Sequence, residues 1–521
     1  MMEIAGQRGV GTRRDDAKLL PAMSSSVVAW KVLWEEETAL TRPLCVNLDG
    51  TLVSTDTLWE CVLCLLRRRP WLLLLAPFWM LAGKASFKRR VAVRVALDPA
   101  SLPYRQDLIE ALQRIKQSGR KLVLATAADR TIADGVAKHL GLFDEVLASN
   151  GQDNLRAGAK SERLVRAYAQ SGFDYVGDSH ADLSVFERAT RGFLVGSSAR
   201  VAAQARNKGN VTIVSSRPSV LRALIKELRV HQWAKNALVV SPVFFAPGLP
   251  APDLLGRALL AALAFSLCAS AGYVWNDLLD IEADRAHHTK KNRPFASGAL
   301  PVAFGPPLFI ALLALGFGLS VWTLPARFSL MLVLYFAGTL GYSLYLKRVL
   351  IVDVIVLAGL YTHRVLSGGV ATGIPISSWL MGFSLFFFVS LAFAKRYVEL
   401  ALHQGDEKIK NRDYYKVDLQ MIGAMGPASG FLAALVFSLY VEMGSHASAY
   451  KEPVVLWLVV PVLLYWVTRV WILTGRGQMQ DDPVRFAIKD RVSWICGLTM
   501  GLVVLLARFT PLWLSEFLQG M

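Results

Sequence analysis

Cysteine is scarce in this chain, and the few cysteines form no recognisable framework. There are 5 among 521 residues, and only Cys61 and Cys64 lie close together in sequence. That C-x-x-C pair sits in an apolar run, and no second pair or histidine cluster accompanies it to complete a zinc site. The composition therefore argues against a disulfide-stabilised secreted domain and favours buried free thiols.

Charge is also sparse, since Asp, Glu, Lys and Arg make up 19% of the residues while 54% are hydrophobic. A soluble protein is rarely so apolar, yet the charges come in blocks, which predicts a membrane domain joined to a soluble domain. The first residues lack the apolar core of a signal peptide. We expect residues 1–39 to be a cytoplasmic, partly disordered linker.

The net charge of +17 does not indicate a nucleic-acid-binding protein. Lys and Arg gather in alternate connections between apolar runs, which is a pattern of membrane topology and not of a basic face. By the positive-inside rule, the N-terminus and the functional sites face the cytoplasm and the C-terminus lies outside. About nine transmembrane helices are predicted, near residues 236–247, 255–275, 304–322, 327–345, 350–370, 379–395, 420–441, 454–473 and 492–510.

An acidic segment follows the second of these runs. From Asn276 it reads N-D-L-L-D-I-E-A-D-R. A helix that continues past the membrane would place Asp277, Asp280 and Asp284 on one stripe, with Asn276 beside it. Carboxylates so close together raise one another's pKa unless a cation lies between them. Because Mg²⁺ suits carboxylate and diphosphate oxygens, the segment predicts a Mg²⁺ site.

The spacing N-D-x-x-D-x-x-x-D after a membrane span resembles the first aspartate-rich motif of the UbiA superfamily of intramembrane prenyltransferases, whose members bind a diphosphate through Mg²⁺. The second aspartate-rich motif of that superfamily is missing, and the chain reads K-R-Y-V-E-L from Lys395 in its place. This departure resembles the decaprenyl-phosphate phosphoribosyltransferase branch, as do the segments at 232–236, 342–347 and 364–372. The resemblance implies that residues 216–521 form an all-α, polytopic UbiA-like membrane domain.

Lys395 and Arg396 stand where a second metal site is usual, and fixed cations suit a ligand with an additional monophosphate. Phosphoribosyl pyrophosphate has both a diphosphate and a monophosphate. Glu399, one turn from Lys395, is expected to orient that lysine. The candidate catalytic residues are Asp277, Asp280, Asp284, Lys395 and Arg396, with the three aspartates as Mg²⁺ ligands. The candidate substrate-binding residues are Asn276, Lys235, Lys290, Arg293, Tyr342, Lys347, Asp353, Arg364 and Glu399.

Residues 40–215 resemble the haloacid dehalogenase (HAD) superfamily, beginning with the motif N-L-D-G-T at Asn47. The resemblance implies a doubly wound α/β domain with its site at the carboxyl ends of the strands. The apolar run at residues 58–83, interrupted by Arg67, Arg68, Arg69 and Pro70, favours a helical cap insertion at about 57–105 that packs on the bilayer surface. A short membrane hairpin and an ordinary buried cap core are the alternatives. The expected phosphate site consists of Asn47, Asp49, Thr126, Lys160, Asp178 and Asp182, with Asp49, Asp178 and Asp182 as Mg²⁺ ligands.

Asn47 departs from the pattern of that superfamily. Its phosphatases have aspartate at this place, where the carboxylate attacks phosphorus and binds the metal. A neutral amide is a poor nucleophile and a weaker Mg²⁺ ligand. Either this domain is a degenerate phosphate binder, or Asn47 replaces the aspartate of an active phosphatase, and the sequence leaves both readings open.

These features predict Mg²⁺-dependent transfer of 5-phosphoribose from phosphoribosyl pyrophosphate to a decaprenyl-type polyprenyl phosphate in a bacterial inner membrane. An active HAD-like domain would remove the 5-phosphate of the product. The main alternative is a UbiA-type prenyltransferase that uses a prenyl diphosphate donor and a small aromatic acceptor. A transporter or a phosphate sensor would explain the many spans but not the aspartate stripe. No nucleic-acid partner is expected, and association into a homo-oligomer stays open.

Overall fold

The computed structural model describes residues 41–245, 251–403, 405, 408–409, 412–443, 450–479 and 482–509. The expected N-terminal linker, 1–39, lies outside these residues. The chain divides into two compact units. The first consists of the chain up to Leu224 together with Asp277–Gly305, and the second of Ile225–Asn276 together with the chain from Pro306 onward.

The first unit contains a parallel sheet with the strand order β3-β2-β1-β4-β5-β6. The strands are β1 (Leu44–Val46), β2 (Leu122–Asp129), β3 (Glu145–Ser149), β4 (Asp174–Gly177), β5 (Arg191–Leu194) and β6 (Val211–Ile213). In the central strand, Leu44 and Val46 face one hydrophobic core and Cys45 faces another. Because both faces of the sheet are buried, the central strand β1 is apolar along its whole length, and the parallel order of the six strands confirms the predicted doubly wound α/β domain.

Helices α1 to α9 occupy Thr57–Arg68, Ala76–Leu81, Lys84–Arg94, Gln106–Gln117, Arg130–Leu140, Gly158–Ala167, Leu183–Phe186, Ala199–Arg206 and Val220–Leu228. The first three follow β1 and form the predicted helical cap, joined by a 3₁₀ turn at Pro70–Leu75. Asp56 begins α1, since its carboxylate accepts hydrogen bonds from the N–H groups of Leu58 and Trp59. The cap has its own core around Cys61, Cys64 and Trp79. All five cysteines of the chain are buried and free, as predicted.

Helices α10 to α20 occupy Ser241–Phe245, Pro252–Leu279, Ile281–Ala286, Gly305–Thr323, Ala326–Leu344, Val352–Thr372, Ser378–Ala401, Leu419–Met443, Val459–Gly475, Pro483–Lys489 and Arg491–Phe509. Eight of them, in the described part of the chain, are long and apolar enough to cross a membrane: α11, α13 to α18 and α20. Eight of the nine predicted spans are therefore confirmed among the described residues. The first predicted span, 236–247, corresponds to a 3₁₀ helix (Val230–Val239) and the short α10, and it runs on into residues that are not described.

Small residues let the long helices of the second unit approach closely. A Cβ atom on Gly426 of α17 would lie 2.0 Å from the ring of Trp471 in α18. Ser390 of α16 joins both helices, because it donates to the carbonyl of Gly426 (2.7 Å) and accepts from the Trp471 indole N–H (3.0 Å). Such satisfied polar contacts fix helix positions where apolar surface alone would allow sliding.

Candidate active sites

The acidic segment begins in the last turn of α11, which carries Asn276 and Asp277. The prediction of one continuous helix is wrong beyond Leu279, because Asp280 has a non-helical conformation (φ −98°, ψ 12°) and is the N-cap of α12. Its carboxylate makes no capping hydrogen bond to the helix. The break turns the segment, so that Asp277 and Asp284 are both buried while Asp280 is half-buried.

Arg293 brings two of the predicted metal ligands together. Its Nη1 atom lies 3.0 Å from Asp277 Oδ1 and 2.6 Å from Asp284 Oδ2. Burial raises the pKa of Asp284, and Arg293 opposes that shift. The Asp280 side chain makes no hydrogen bond or ion pair with any described residue. Two carboxylates that converge on one cationic nitrogen form a donor set that fits a cation, although no group of three acidic, His or Cys side chains with metal-site spacing occurs among the described residues.

Two further ion pairs tie this segment to the cap within the first unit. Arg285 forms a two-pronged pair with Glu60 of α1, with Nη2 to Oε1 at 2.6 Å and Nη1 to Oε2 at 3.2 Å. Both side chains are largely buried (9% and 3% exposed). At the surface, Arg67 Nη1 lies 2.9 Å from Glu282 Oε2. Sequence reasoning missed these pairs, because nothing in the spacing of Glu60 and Arg285 relates them.

In the second unit, Lys235 and Lys395 share the carboxylate of Asp482. Lys235 Nζ lies 2.5 Å and Lys395 Nζ 3.9 Å from Asp482 Oδ2. Burial opposes ionisation of Asp482, but the two lysines hold its pKa below the ordinary value. Lys235 also lies 5.9 Å from the ring centre of Tyr361. The structure thus brings together two of the predicted phosphate-binding lysines.

Arg396 points away from Lys395 and has different partners. Its Nε atom lies 3.0 Å from Asp353 Oδ2, and both side chains are almost completely buried (1% and 0% exposed). Arg396 also pairs with Glu399, whereas Lys395 pairs with Asp482. The expectation that Glu399 orients Lys395 stays a prediction. Glu399 lies four residues from Lys395 and three from Arg396, so helix spacing allows either partner.

The Asp353 carboxylate is the centre of a network that includes residues the sequence did not single out. Tyr414 donates its hydroxyl to Asp353 Oδ1 at 2.6 Å. Arg412 lies 3.5 Å from Asp353 Oδ2 and donates to the Tyr342 hydroxyl (3.2 Å) and to the backbone carbonyl of Lys347 (3.1 Å). Asp353, Tyr342 and the Lys347 backbone therefore belong to one cluster, and burial keeps its charges in fixed positions.

Arg364 lies in a third cluster of the same unit. Its Nε donates to Asn236 Oδ1 at 3.0 Å and its Nη2 to the Tyr335 hydroxyl at 2.9 Å. The guanidinium also lies 5.2 Å from the ring centre of Tyr361, the ring that Lys235 faces. Tyr361 thus connects the predicted residues Arg364 and Lys235. Of the other candidates, Asn276 is half-buried at the end of α11, and Lys290 is exposed in a 3₁₀ turn at Lys290–Asn292.

Most of the predicted HAD-site residues meet beyond the carboxyl ends of β1 and β4. Lys160 Nζ lies 3.0 Å from Asn47 Oδ1 and 3.2 Å from Asp182 Oδ1. Buried Thr126 accepts a hydrogen bond from the N–H of Ala128 at 3.0 Å. Gly50 has φ +74°, and a Cβ atom there would lie 2.1 Å from the Asp178 carboxylate, so only glycine fits this turn.

Burial changes the pKa values of the acidic residues at this site. Burial, together with Asp56, raises the pKa of Asp49 to about 7. Burial and the neighbouring Asp182 raise the pKa of Asp178 to about 7. Asp182 is also buried, yet the charge of Lys160 and the hydrogen bonds that Asp182 accepts from Tyr175 and Ser179 lower the pKa of Asp182.

Asn47 fills this site as a hydrogen-bond donor. Its Nδ2 donates to the Asp49 carbonyl at 2.8 Å and lies 3.3 Å from Asp178 Oδ1. Its Oδ1 accepts a hydrogen bond from Lys160 Nζ at 3.0 Å. Mg²⁺ at this place would need oxygen ligands only, but the Asn47 side chain directs an N–H group toward Asp178. The residues at this site therefore do not fit Mg²⁺ while position 47 is asparagine.

Comparison with known proteins agrees with both halves of the chain. The UbiA prenyltransferase family matches residues 237–495, and the haloacid dehalogenase-like hydrolase family matches residues 46–187. A Sinorhizobium fredii protein named Uncharacterized protein y4nM is 36% identical over 463 residues, which cover 87% of this chain and 89% of that protein.

Two other relatives match one part of the chain. Nodulation protein NoeC of Azorhizobium caulinodans is 34% identical over 53% of this chain and 91% of its own length. The decaprenyl-phosphate phosphoribosyltransferase of Mycobacterium tuberculosis is 29% identical over 55% of this chain and 94% of its own length. The chain belongs to the UbiA prenyltransferase family, as a multi-pass membrane protein with a haloacid dehalogenase-like domain at its N-terminal end.

Proposed function

We propose that the membrane domain transfers 5-phosphoribose from phosphoribosyl pyrophosphate to a decaprenyl-type polyprenyl phosphate. The observation that carries the proposal is the pair Lys235 and Lys395 at Asp482, since Lys395 stands where the family usually has a second acidic motif. Fixed cations can bind a monophosphate without a second metal. The name of the mycobacterial relative supports the same reaction.

In this reaction the bond between the anomeric carbon and the pyrophosphate oxygen breaks, and an oxygen of the lipid phosphate forms the new bond to that carbon. Asp277, Asp280 and Asp284 would hold Mg²⁺, which when bound supplies positive charge to the departing pyrophosphate. Lys235 and Lys395 bind phosphate oxygens of the substrates. The acceptor phosphate is already ionised at neutral pH, so it needs positioning and no general base.

Arg396 has a different role in this proposal. Because it is buried against Asp353 and paired with Glu399, it positions the helix turn that carries Lys395 and does not itself contact substrate. Arg293 neutralises Asp277 and Asp284 until a diphosphate with its metal binds, and it then remains near the leaving group as a second cation.

The HAD-like domain would recognise the 5-phosphate of the lipid product through Lys160 and Thr126. With Asn47 at the nucleophile position, we expect binding without efficient hydrolysis. The domain and both sites would face the cytoplasm of a bacterial cell, with the spans in the inner membrane.

The test is to incubate purified protein with Mg²⁺, phosphoribosyl pyrophosphate and decaprenyl phosphate and to detect phosphoribosylated lipid by mass spectrometry. Asp280→Ala should abolish product, because it removes one of the proposed Mg²⁺ ligands. The variant should fold normally, because that carboxylate has no structural partner among the described residues. Glu282→Ala is the matched control, as it removes an acidic side chain from the same segment that faces the cap instead. Turnover of a prenyl diphosphate with an aromatic acceptor, without any phosphoribosyl transfer, would replace this proposal by the ordinary prenyltransferase reaction.

A further inference from the structure

The cap exposes an unusual amount of apolar surface in one short stretch. In Pro70–Leu81, the side chains of Trp71, Leu74, Phe78 and Leu81 are 62%, 77%, 67% and 85% exposed. Trp79 of the same stretch is buried in the cap core with Cys61 and Cys64. The stretch is therefore anchored on one side, and its other side forms an apolar surface larger than a soluble domain usually leaves uncovered.

Charge around this stretch has one sign. The exposed Arg68 and Arg69 precede it, and the exposed Lys84, Arg90 and Arg94 follow it, whereas Arg67, Lys88 and Arg89 bond to partners in the first unit. From Cys61 to Leu97 the sequence has no Asp or Glu. An apolar face bordered by lysines and arginines is complementary to the surface of an anionic bilayer, where apolar side chains enter the acyl boundary and cations meet the headgroups.

Contacts within the first unit place the cap near the end of a membrane helix. Arg67, three residues before Pro70, pairs with Glu282 at 2.9 Å. Glu282 lies three residues beyond Leu279, the last residue of the membrane-crossing helix α11. Three residues span at most about 11 Å, so Arg67 is held close to the end of α11. The buried pair of Glu60 with Arg285 reinforces this position.

We propose that Pro70–Leu81 is an interfacial element that lies in the headgroup region of the bilayer that the chain itself spans, with anionic phospholipid as its partner. The cleft lined by Asp49, Asp56 and Lys88 opens between the cap and the sheet of the same unit. The inference stands independently of the transferase reaction proposed above.

The experiment uses the full-length protein in vesicles of phosphatidylethanolamine and phosphatidylglycerol. Leu81→Cys is labelled with a small fluorophore, and Glu110→Cys, an exposed position on α4, is the matched control. The five native cysteines are buried, so brief labelling is selective for the new thiol. We expect nitroxide-labelled lipid to quench the label at position 81 several-fold more than the label at position 110, and iodide in the buffer to show the opposite order.

Equal quenching at the two positions by lipid nitroxide would overturn the proposal. Protection of position 81 from both quenchers, lost on dilution with lipid, would overturn it in favour of a second copy of the chain as the partner. Undiminished lipid quenching at position 81 in purely zwitterionic vesicles would refute the assignment to anionic lipid.

Discussion

Asn47→Asp is the substitution that most directly tests the reading of the HAD-like site. With both carboxylates ionised, an aspartate oxygen at the place of Asn47 Nδ2, about 3.3 Å from Asp178 Oδ1, would be repelled by about 5 kcal/mol at an effective dielectric constant of about 20; because the pKa of Asp178 is raised to about 7, this repulsion is fully present only above neutral pH. Lys160, 3.0 Å from the other oxygen, contributes an attraction of similar size. The two terms nearly cancel.

The cost of removing the new carboxylate from water then decides whether Asn47→Asp stabilises or destabilises the protein. Position 47 is only 6% exposed, and a buried carboxylate without full compensation costs several kcal/mol. We therefore expect the Asn47→Asp protein to unfold more easily than the parent in EDTA, by about 2–4 kcal/mol in the first unit. Excess Mg²⁺ should restore about 2.7 kcal/mol at a concentration one hundred times its dissociation constant, because the second carboxylate completes an oxygen donor set.

The assay is thermal unfolding of the detergent-solubilised protein with EDTA and with Mg²⁺, followed by phosphate release from the purified lipid product. Both proteins carry Asp280→Ala, so that Mg²⁺ bound at the transferase site does not contribute to the comparison. Asn47→Ala is the control, since it removes the amide without adding a carboxylate. An equal Mg²⁺ response in the parent and in Asn47→Asp, with no gain in phosphate release, would refute the reasoning.

Three further predictions concern buried ion pairs and their neighbours. Glu60→Gln should destabilise the first unit by about 3–5 kcal/mol, because it leaves the Arg285 guanidinium buried without its counter-charge; an unfolding midpoint equal to that of an Arg67→Gln control would contradict this. Arg396→Ala should lower the yield of folded protein, whereas Lys395→Ala should fold normally and raise the KM for the phosphoribosyl donor; the reverse pattern would show that Arg396 contacts substrate. Tyr414→Phe should cost about 1–3 kcal/mol, since the N–H of Ile351 and the Asp353 carboxylate both lose a buried partner, and an unchanged thermal midpoint would argue against it.

Local patterns were enough to predict much of this molecule. The sheet follows from short apolar strands that end in polar motifs, and the eight long helices follow from apolar runs of sufficient length. The convergence of Asn47, Lys160, Asp178 and Asp182 follows from parallel strands that end at one edge. These features depend on residue type and spacing along a single element.

Features that depend on contacts between distant segments were not predictable. The break at Asp280 lies inside a stretch whose spacing suits a continuous helix, and the position of Arg293 between two carboxylates decides the local geometry. Likewise, the spacing of Glu399 fits both Lys395 and Arg396, and only the burial of Arg396 against Asp353 determines which partner it has. Spacing gives the possible partners, and packing selects among them.

Helix α1 connects the cap to the acidic segment through hydrogen bonds and an ion pair. The N–H of Thr57 at its start donates to Asp49 at 2.9 Å, and Glu60, one turn later, holds Arg285 next to Asp284. Thr55 also donates its hydroxyl to Glu60 at 2.6 Å, which fixes the rotamer that reaches Arg285. Any movement of α1 when a phosphate group enters the cleft therefore moves the partner of Arg285 as well. A change in transferase rate after mutation of Glu60 would reflect this connection and would not mark Glu60 as a catalytic residue.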